Sequence, residues 1–117
     1  MAALQGGRVL VGAALVVAPS SAGGSWIGSP ARQSGGRVAL RALGVRDLML
    51  GLGALRAARR GDAAEVIAWS LGLAACDLVD GIATAAAAEE LPGRGGPVMA
   101  MAFGAAAAGV AIAATLR

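Results

Sequence analysis

The chain has 117 residues, of which 57% are hydrophobic, 3% aromatic and 15% charged, with a net charge of +3. With so few aromatic residues, the core of a water-soluble protein would consist of Ala, Leu and Val alone. In a membrane, by contrast, small residues favour the close packing of helices. The basic residues are all arginine and are scattered singly or in pairs, which excludes nucleic acid as a partner. With no His and one Cys, neither a metal site nor another cofactor is expected.

The first apolar segment predicts a helix at about 4–18, with Arg8 snorkelling towards the membrane surface. At about 1.5 Å per residue its helix covers about 22 Å, less than the hydrocarbon core of about 30 Å. A cleaved signal peptide is an alternative, because Ser20-Ser21-Ala22 resembles a cleavage site. Residues 20–36 are rich in Ser, Gly and Pro, which predicts an exposed connection with Trp26 at the level of the lipid headgroups.

Three further apolar segments predict helices at about 38–58, 63–88 and 98–116. Gly61 follows two arginines and marks the end of the second helix. Asp62, with Glu65 three residues later, predicts a capping box at the start of the third. The sequence therefore predicts one all-α domain, a four-helix transmembrane bundle.

The arginines near the ends of these spans predict the orientation in the membrane. The end that holds both termini has five of them, and the other end has three. The five are Arg8, Arg56, Arg59, Arg60 and Arg117, and the three are Arg32, Arg37 and Arg94. This count predicts a multi-pass protein of the bacterial plasma membrane with both termini in the cytoplasm.

Charged residues interrupt the second and third spans. Charges near the bilayer centre cost about 2.5 to 3.5 kcal/mol each on insertion scales, so they usually face a partner or a cavity. Because only a short turn separates these spans, we expect antiparallel neighbours. The predicted intramembrane network consists of Arg41, Arg46, Asp47, Asp77 and Asp80.

Helical spacing assigns supporting residues to this network. Spacings of three, four and seven place residues on one face of a helix. The third span gathers Ser70, Asp77, Asp80, Gly81 and Thr84, and the second gathers Arg41, Gly44, Asp47 and Gly51. Arg46 points about 100° away from Asp47. It therefore lies in a wide inward sector, or it faces another helix or a second subunit.

The charge balance of this network points to two functions. Two arginines and three aspartates leave one negative charge, so either one carboxyl holds a proton or a cation lies beside it. We expect a non-enzymatic accessory or structural membrane protein, in contact with lipid and with a homo-oligomer or another membrane protein as a partner. The alternative is a small transporter or ligand-binding bundle that uses the aspartates as a proton or polar-substrate site. A third reading is an alanine-rich soluble bundle.

The segment from Arg41 to Leu48, Gly51, Asp77 with Asp80, and the run from Gly12 to Pro19 together resemble a known family. It comprises uncharacterised small integral membrane proteins of high-GC actinobacteria, with a Gly-x-Arg-Asp-Leu core. The chain is also distantly similar to DoxX-like four-helix membrane proteins. These resemblances imply four membrane helices in the plasma membrane.

Asp77-Leu-Val-Asp80-Gly81 resembles the opening of the metal-binding motif of CDP-alcohol phosphotransferases. Thr84-Ala85 stands where that motif has Ala-Arg, and no aspartate follows Asp80. Two carboxylates without further oxygen ligands hold a divalent ion poorly. An enzyme of this class is therefore not expected.

Overall fold

The computed structural model describes residues 1–117, which form helices and no strands. This confirms the all-α prediction. The five α-helices are α1 (Ala2–Val17), α2 (Pro19–Ile27), α3 (Ser34–Arg60), α4 (Ala63–Ala86) and α5 (Gly96–Thr115). Short 3-10 helices lie at Ser29–Arg32, Ala88–Glu90 and Pro92–Gly95. The helices α1, α3, α4 and α5 correspond to the four predicted segments.

Local chemistry fixes where these helices end. Pro19 has no amide hydrogen and starts α2 at its first turn, which breaks the chain after α1. Gly61 ends α3 in the left-handed conformation, with φ of 69°, directly after two arginines. Asp62 then caps α4, because its Oδ1 accepts a hydrogen bond of 3.1 Å from the amide of Glu65. The predicted helix start at Asp62 is confirmed.

Small residues bring the helices together in two antiparallel pairs, α1 with α3 and α4 with α5. A Cβ added at Gly12 would lie 2.6 Å from the carbonyl oxygen of Gly44 and 2.6 Å from the amide nitrogen of Leu48. On the other pair, a Cβ at Gly109 would lie 2.9 Å from the carbonyl oxygen of Ser70. Backbone therefore meets backbone inside each pair, as in membrane helix packing.

The pairs meet where α3 contacts α4, which are adjacent and antiparallel as the short turn predicts. A Cβ at Gly53 would lie 2.6 Å from the ring of Trp69 at this contact. The α1 and α5 helices make no extensive contact with each other. The bundle is consequently open along the side between α1 and α5.

The prediction of an exposed connection at 20–36 is wrong for the first part of this segment, whereas residues 32–35 are exposed as expected. Residues Pro19–Ile27 form α2, which bends by 108° from α1 and folds back over the end of the bundle. The indole nitrogen of Trp26 donates a hydrogen bond of 3.1 Å to the hydroxyl of Thr84 on α4. Leu15, Ala31 and Leu40 form a small core beneath this helix, with Trp26 packed against it. The contact between Trp26 and Thr84 therefore stabilises a helix in a segment whose Ser and Gly content predicts a loop.

Two helical segments, Ala63–Ala86 and Pro92–Thr115, are long and apolar enough to cross a membrane. The bent pair α1 and α2 would be a third if it is counted as one span. The α3 helix is the longest at 27 residues, but Arg41, Arg46 and Asp47 interrupt its apolar middle. The chain therefore has two candidate spans, or up to three, by length and composition.

Substitution of Gly12 by Ala is expected to destabilise the fold, because the new methyl group would meet backbone atoms that cannot turn away. Overpacking of this kind lowers the free energy of unfolding by about 1 to 3 kcal/mol. Denaturant titration of the purified protein in micelles measures the change. Gly72→Ala is the matched control, since a Cβ there meets nothing within 4 Å. It should stabilise α4 by about 0.5 to 1 kcal/mol, and equal losses in both variants would contradict close packing at Gly12.

Candidate functional site

An ion pair joins α1 to α4 in the middle of the bundle. Arg8 donates two hydrogen bonds to Asp77, of 3.0 Å from Nη1 to Oδ1 and 2.5 Å from Nη2 to Oδ2. The two side chains are only 7% and 9% exposed. Gln5, one turn before Arg8, accepts a third hydrogen bond of 3.0 Å from the Arg8 Nε. Arg8 is therefore a fully engaged guanidinium with the fork geometry that matches a carboxylate.

A second ion pair joins α3 to α4. The Arg46 Nη2 lies 2.6 Å from the Asp80 Oδ2, and the Arg46 Nη1 lies 3.4 Å from the Asp80 Oδ1. Asp47 lies between the two pairs, with its Oδ1 3.2 Å from the Arg46 Nη2 and 3.7 Å from the Arg8 Nη1. These contacts form one charged cluster, which consists of Arg8, Arg46, Asp47, Asp77 and Asp80.

The structure places Arg46, Asp47, Asp77 and Asp80 together, but it places Arg41 elsewhere. Arg41 is exposed, and its Nε donates a hydrogen bond of 3.2 Å to the carbonyl oxygen of Val16. The side chain of Arg46 points towards α4 and that of Asp47 points towards α1. This agrees with the angle of about 100° around the helix axis that separates consecutive residues. Both find their partners within the chain.

The prediction that Arg8 snorkels to the membrane surface is wrong, because Arg8 occupies the position in the cluster that was predicted for Arg41. The signal that could have found it is the spacing of Gln5, Arg8, Gly12 and Leu15, at three, four and three residues. Such spacing marks one helical face. Gln5, Gly12 and Leu15 are all buried, so this face of α1 packs inwards and carries Arg8 with it.

The residues predicted to support the cluster pack the helices that surround it. Gly44 and Gly51 face α1, where added Cβ atoms would meet the Gly12 carbonyl oxygen at 2.7 Å and the Val9 side chain at 2.8 Å. Gly81 faces α5, 2.7 Å from the ring of Phe103 by the same measure. Each glycine therefore admits a neighbouring helix.

Thr84 and Ser70 lie on either side of the cluster along α4. Thr84 is buried, donates a hydrogen bond of 2.7 Å to the carbonyl oxygen of Asp80 and accepts the bond from Trp26. Ser70 is fully buried at the contact with α5, and its hydroxyl makes no hydrogen bond. Thr84 thus links α2 to the cluster, whereas Ser70 lies apart from the charged side chains.

A cleft of about 580 Å³ opens between α1 and α5, in the gap between the two helix pairs. Four members of the charged cluster line it, namely Arg8, Asp47, Asp77 and Asp80. The walls are apolar and include Val11, Leu15, Trp26, Leu43, Val98 and Met101. Its volume and its few convergent polar groups are typical of sites for small molecules.

The cluster holds two guanidinium groups and three carboxylates, which gives a formal charge of −1 when all are ionised. The cluster contains Arg8 instead of the predicted Arg41, so the net charge of −1 predicted from the sequence is unchanged. Every hydrogen bond between side chains of the cluster joins an arginine to a carboxylate. One carboxylate charge therefore has no counter-charge of its own.

No family model, curated protein or solved structure matches the chain. The resemblances to actinobacterial membrane proteins and to DoxX-like proteins stay predictions from the sequence.

Replacement of Arg8 by Met is expected to destabilise the protein much more than Arg41→Met. Loss of one partner from a buried pair leaves an uncompensated charge, which costs about 3 to 5 kcal/mol. An exposed residue outside such a pair changes stability by about 0.5 kcal/mol or less. Denaturant titration in micelles compares the two variants. The double variant Arg8→Met/Asp77→Leu should recover part of the loss, and equal effects of Arg8→Met and Arg41→Met would contradict the assignment of Arg8 to the cluster.

Proposed function

We propose that the chain is a four-span integral membrane protein whose cleft binds a small amphipathic molecule. The observation that carries this proposal is that apolar side chains and the charged cluster line the same cleft, which has a volume of about 580 Å³. A molecule with an apolar body and one polar end would bury the body against Trp26, Leu43 and Met101 and direct its end towards the carboxylates. Binding sites with this division are common between the helices of bundles.

The distribution of polarity supports a membrane location. Large apolar side chains face outwards on every long helix, including Leu10, Val38, Val79 and Val110. The charged pair Arg8 and Asp77 instead lies inside the bundle. Charged groups in membrane segments face the bundle interior and pair with one another, so this arrangement is the expected one for a chain surrounded by lipid.

The pairing of charges also supports four spans. The α3 helix is about 40 Å long at 1.5 Å per residue, so length allows it to cross. Its central charges, Arg46 and Asp47, both engage partners on α1 and α4. The α1 helix is about 24 Å long and supplies Arg8 to the same cluster. This contribution to the interior favours a retained span over a cleaved signal peptide.

An accessory or structural role is the second candidate, and the charged cluster itself supports it. Arg8 links α1 to α4 and Arg46 links α3 to α4, so the cluster ties the two helix pairs together. Buried polar groups can specify which helices pack and in what register. The cleft favours binding, because a purely structural network does not need an open space beside its carboxylates.

Four spans would place both termini on the same side of the membrane. With Arg8 inside the bundle and Arg41 exposed near the opposite end, the arginine count becomes even. Four arginines lie near the end that holds the termini, and four lie near the other. The former are Arg56, Arg59, Arg60 and Arg117, and the latter are Arg32, Arg37, Arg41 and Arg94. The excess that favoured cytoplasmic termini therefore depended on the predicted positions of both Arg8 and Arg41.

The membrane location predicts that the protein sediments with membranes after cell lysis and stays there through washing with alkaline carbonate. Detergent is then expected to release it. An integral bundle remains in the bilayer because its outward apolar side chains have no other apolar surroundings. Immunoblotting of the soluble, carbonate and detergent fractions measures this, and recovery in the soluble fraction would support the alanine-rich soluble bundle.

Ligand binding is testable with three probes that each carry an eight-carbon chain, octyltrimethylammonium, octanol and octanoate. A Trp69→Phe background leaves Trp26, which lines the cleft, as the only tryptophan to report binding by its emission. We expect saturable binding of at least one probe to the detergent-purified protein. Gly104→Phe should weaken it by about tenfold or more, because Gly104 lines the cleft and a side chain there meets open space.

Gly72→Phe is the matched control for this experiment. Gly72 is also an exposed helical glycine with nothing within 4 Å of an added Cβ, and it lies outside the cleft. It should leave binding unchanged. Absence of saturable binding for all three probes, or the same effect from both substitutions, would refute the cleft as a binding site.

A further inference from the structure

We propose that Asp47 is the exchangeable charge of the cleft, which takes a monovalent organic cation in place of a proton. This inference rests on the proposed function and names the class of ligand. The evidence is the unequal way in which two arginines are shared among three aspartates.

Asp77 and Asp80 each have an arginine of their own. Arg8 makes two hydrogen bonds to Asp77, and Arg46 makes two to Asp80. Asp47 receives only a single bond of 3.2 Å from the Arg46 Nη2, which it shares with Asp80, and a longer approach of 3.7 Å from Arg8. Asp47 is therefore the carboxylate whose charge is least compensated.

The position of Asp47 makes that charge accessible to a ligand. Its side chain is 13% exposed and lines the cleft. The guanidiniums of Arg8 and Arg46 lie on its Oδ1, while its Oδ2 makes no hydrogen bond to the protein. A positively charged group on the cleft side would meet this oxygen without displacing an arginine.

The other groups around the cleft select against an anion. The polar residues that line the cleft beside Asp47 are Arg8 of α1, Ser25 and Trp26 of α2, and Asp77 and Asp80 of α4. Behind them, Gln5 bonds to Arg8, Arg46 to Asp80 and Thr84 to Trp26. None of the α5 residues that line the cleft is charged. Because carboxylates already engage both arginines, the cleft offers an incoming anion no counter-charge, whereas a cation can pair with the carboxylate of Asp47 once its proton has left.

When no cation occupies the cleft, neutrality of the cluster requires a proton on Asp47. An uncompensated carboxylate in apolar surroundings tends to take up a proton and become neutral. When the cation binds, the O–H bond of Asp47 breaks, the carboxylate keeps the electron pair, and the proton leaves for the surrounding water. One positive charge enters and one leaves, so the cluster remains neutral with two arginines and three aspartates.

The test uses the full chain in detergent, with Trp69→Phe and the same three probes. Octyltrimethylammonium should bind about tenfold or more tightly than octanoate. In weakly buffered solution, at a pH at which Asp47 holds its proton, its binding should release close to one proton per protein. Across the same pH range its apparent dissociation constant should rise by about tenfold per unit of acidification. The permanent charge of the probe ensures that any released proton comes from the protein.

Asp47→Asn should weaken cation binding by about tenfold or more and abolish both the proton release and the pH dependence. Octanol binding should persist, which checks that the cleft still forms. Asp47→Glu should retain cation binding with proton release. Glu89→Gln removes one exposed negative charge outside the cleft and should change neither quantity.

The outcomes separate this inference from the function on which it rests. Failure of all three probes to bind would refute the cleft as a site. Binding of octanol or octanoate as tightly as the cation, or cation binding without proton release, would leave the cleft in place and overturn the assignment of its ligand. A pH dependence that survives in Asp47→Asn would also overturn it, because another carboxyl would then hold the proton.

Discussion

The double hydrogen bond between Arg8 and Asp77 is the contact on which the arrangement of the bundle depends. The tight packing of the molecule lies within two helix pairs, α1 with α3 and α4 with α5. Arg8 crosses from the first pair to the second near the middle of α1, and Arg46 crosses a second time. Since α1 and α5 make no extensive contact with each other, these bonds hold the pairs together beside an open cleft. The position of the cleft follows directly from the position of the pair.

Close backbone packing makes this pairing possible. Gly12 and Gly44 let α1 approach α3 until backbone atoms touch, and Arg8 lies one turn from that contact. A larger residue at either glycine would separate the helices and draw Arg8 away from Asp47. The charged residues of α3 could then not be neutralised from α1, and in the proposed four-span arrangement α3 would carry unpaired charges at its centre. The fold therefore needs both the small residues, which bring the helices close together, and the ion pairs, which neutralise the charges between them.

The sequence predicts the long helices well because their signals are local. Apolar runs, the proline after α1, the glycine after α3 and the cap at Asp62 all act within a few residues. It also brings Asp47, Asp77 and Asp80 to one depth by position alone. It assigns Arg8 to the membrane surface because the first apolar run is short, although the face shared with Gln5 and Gly12 points inwards. The helix α2 escapes prediction for a different reason: Trp26 and Thr84 stabilise it, and they are 58 residues apart in the chain.

The unequal sharing of arginines reconciles the structural and the binding roles of one cluster. Asp77 and Asp80 hold their arginines across helix boundaries, so a ligand that competed for either would loosen the bundle. Asp47 belongs to α3, and its neighbour Arg46 is already anchored on α4. A change in the charge of Asp47 therefore alters the electrostatics of the cleft without breaking a link between the helix pairs. In the proposed mechanism, two aspartates maintain the fold while the third exchanges a proton for a cation, and the bundle keeps its shape through the exchange.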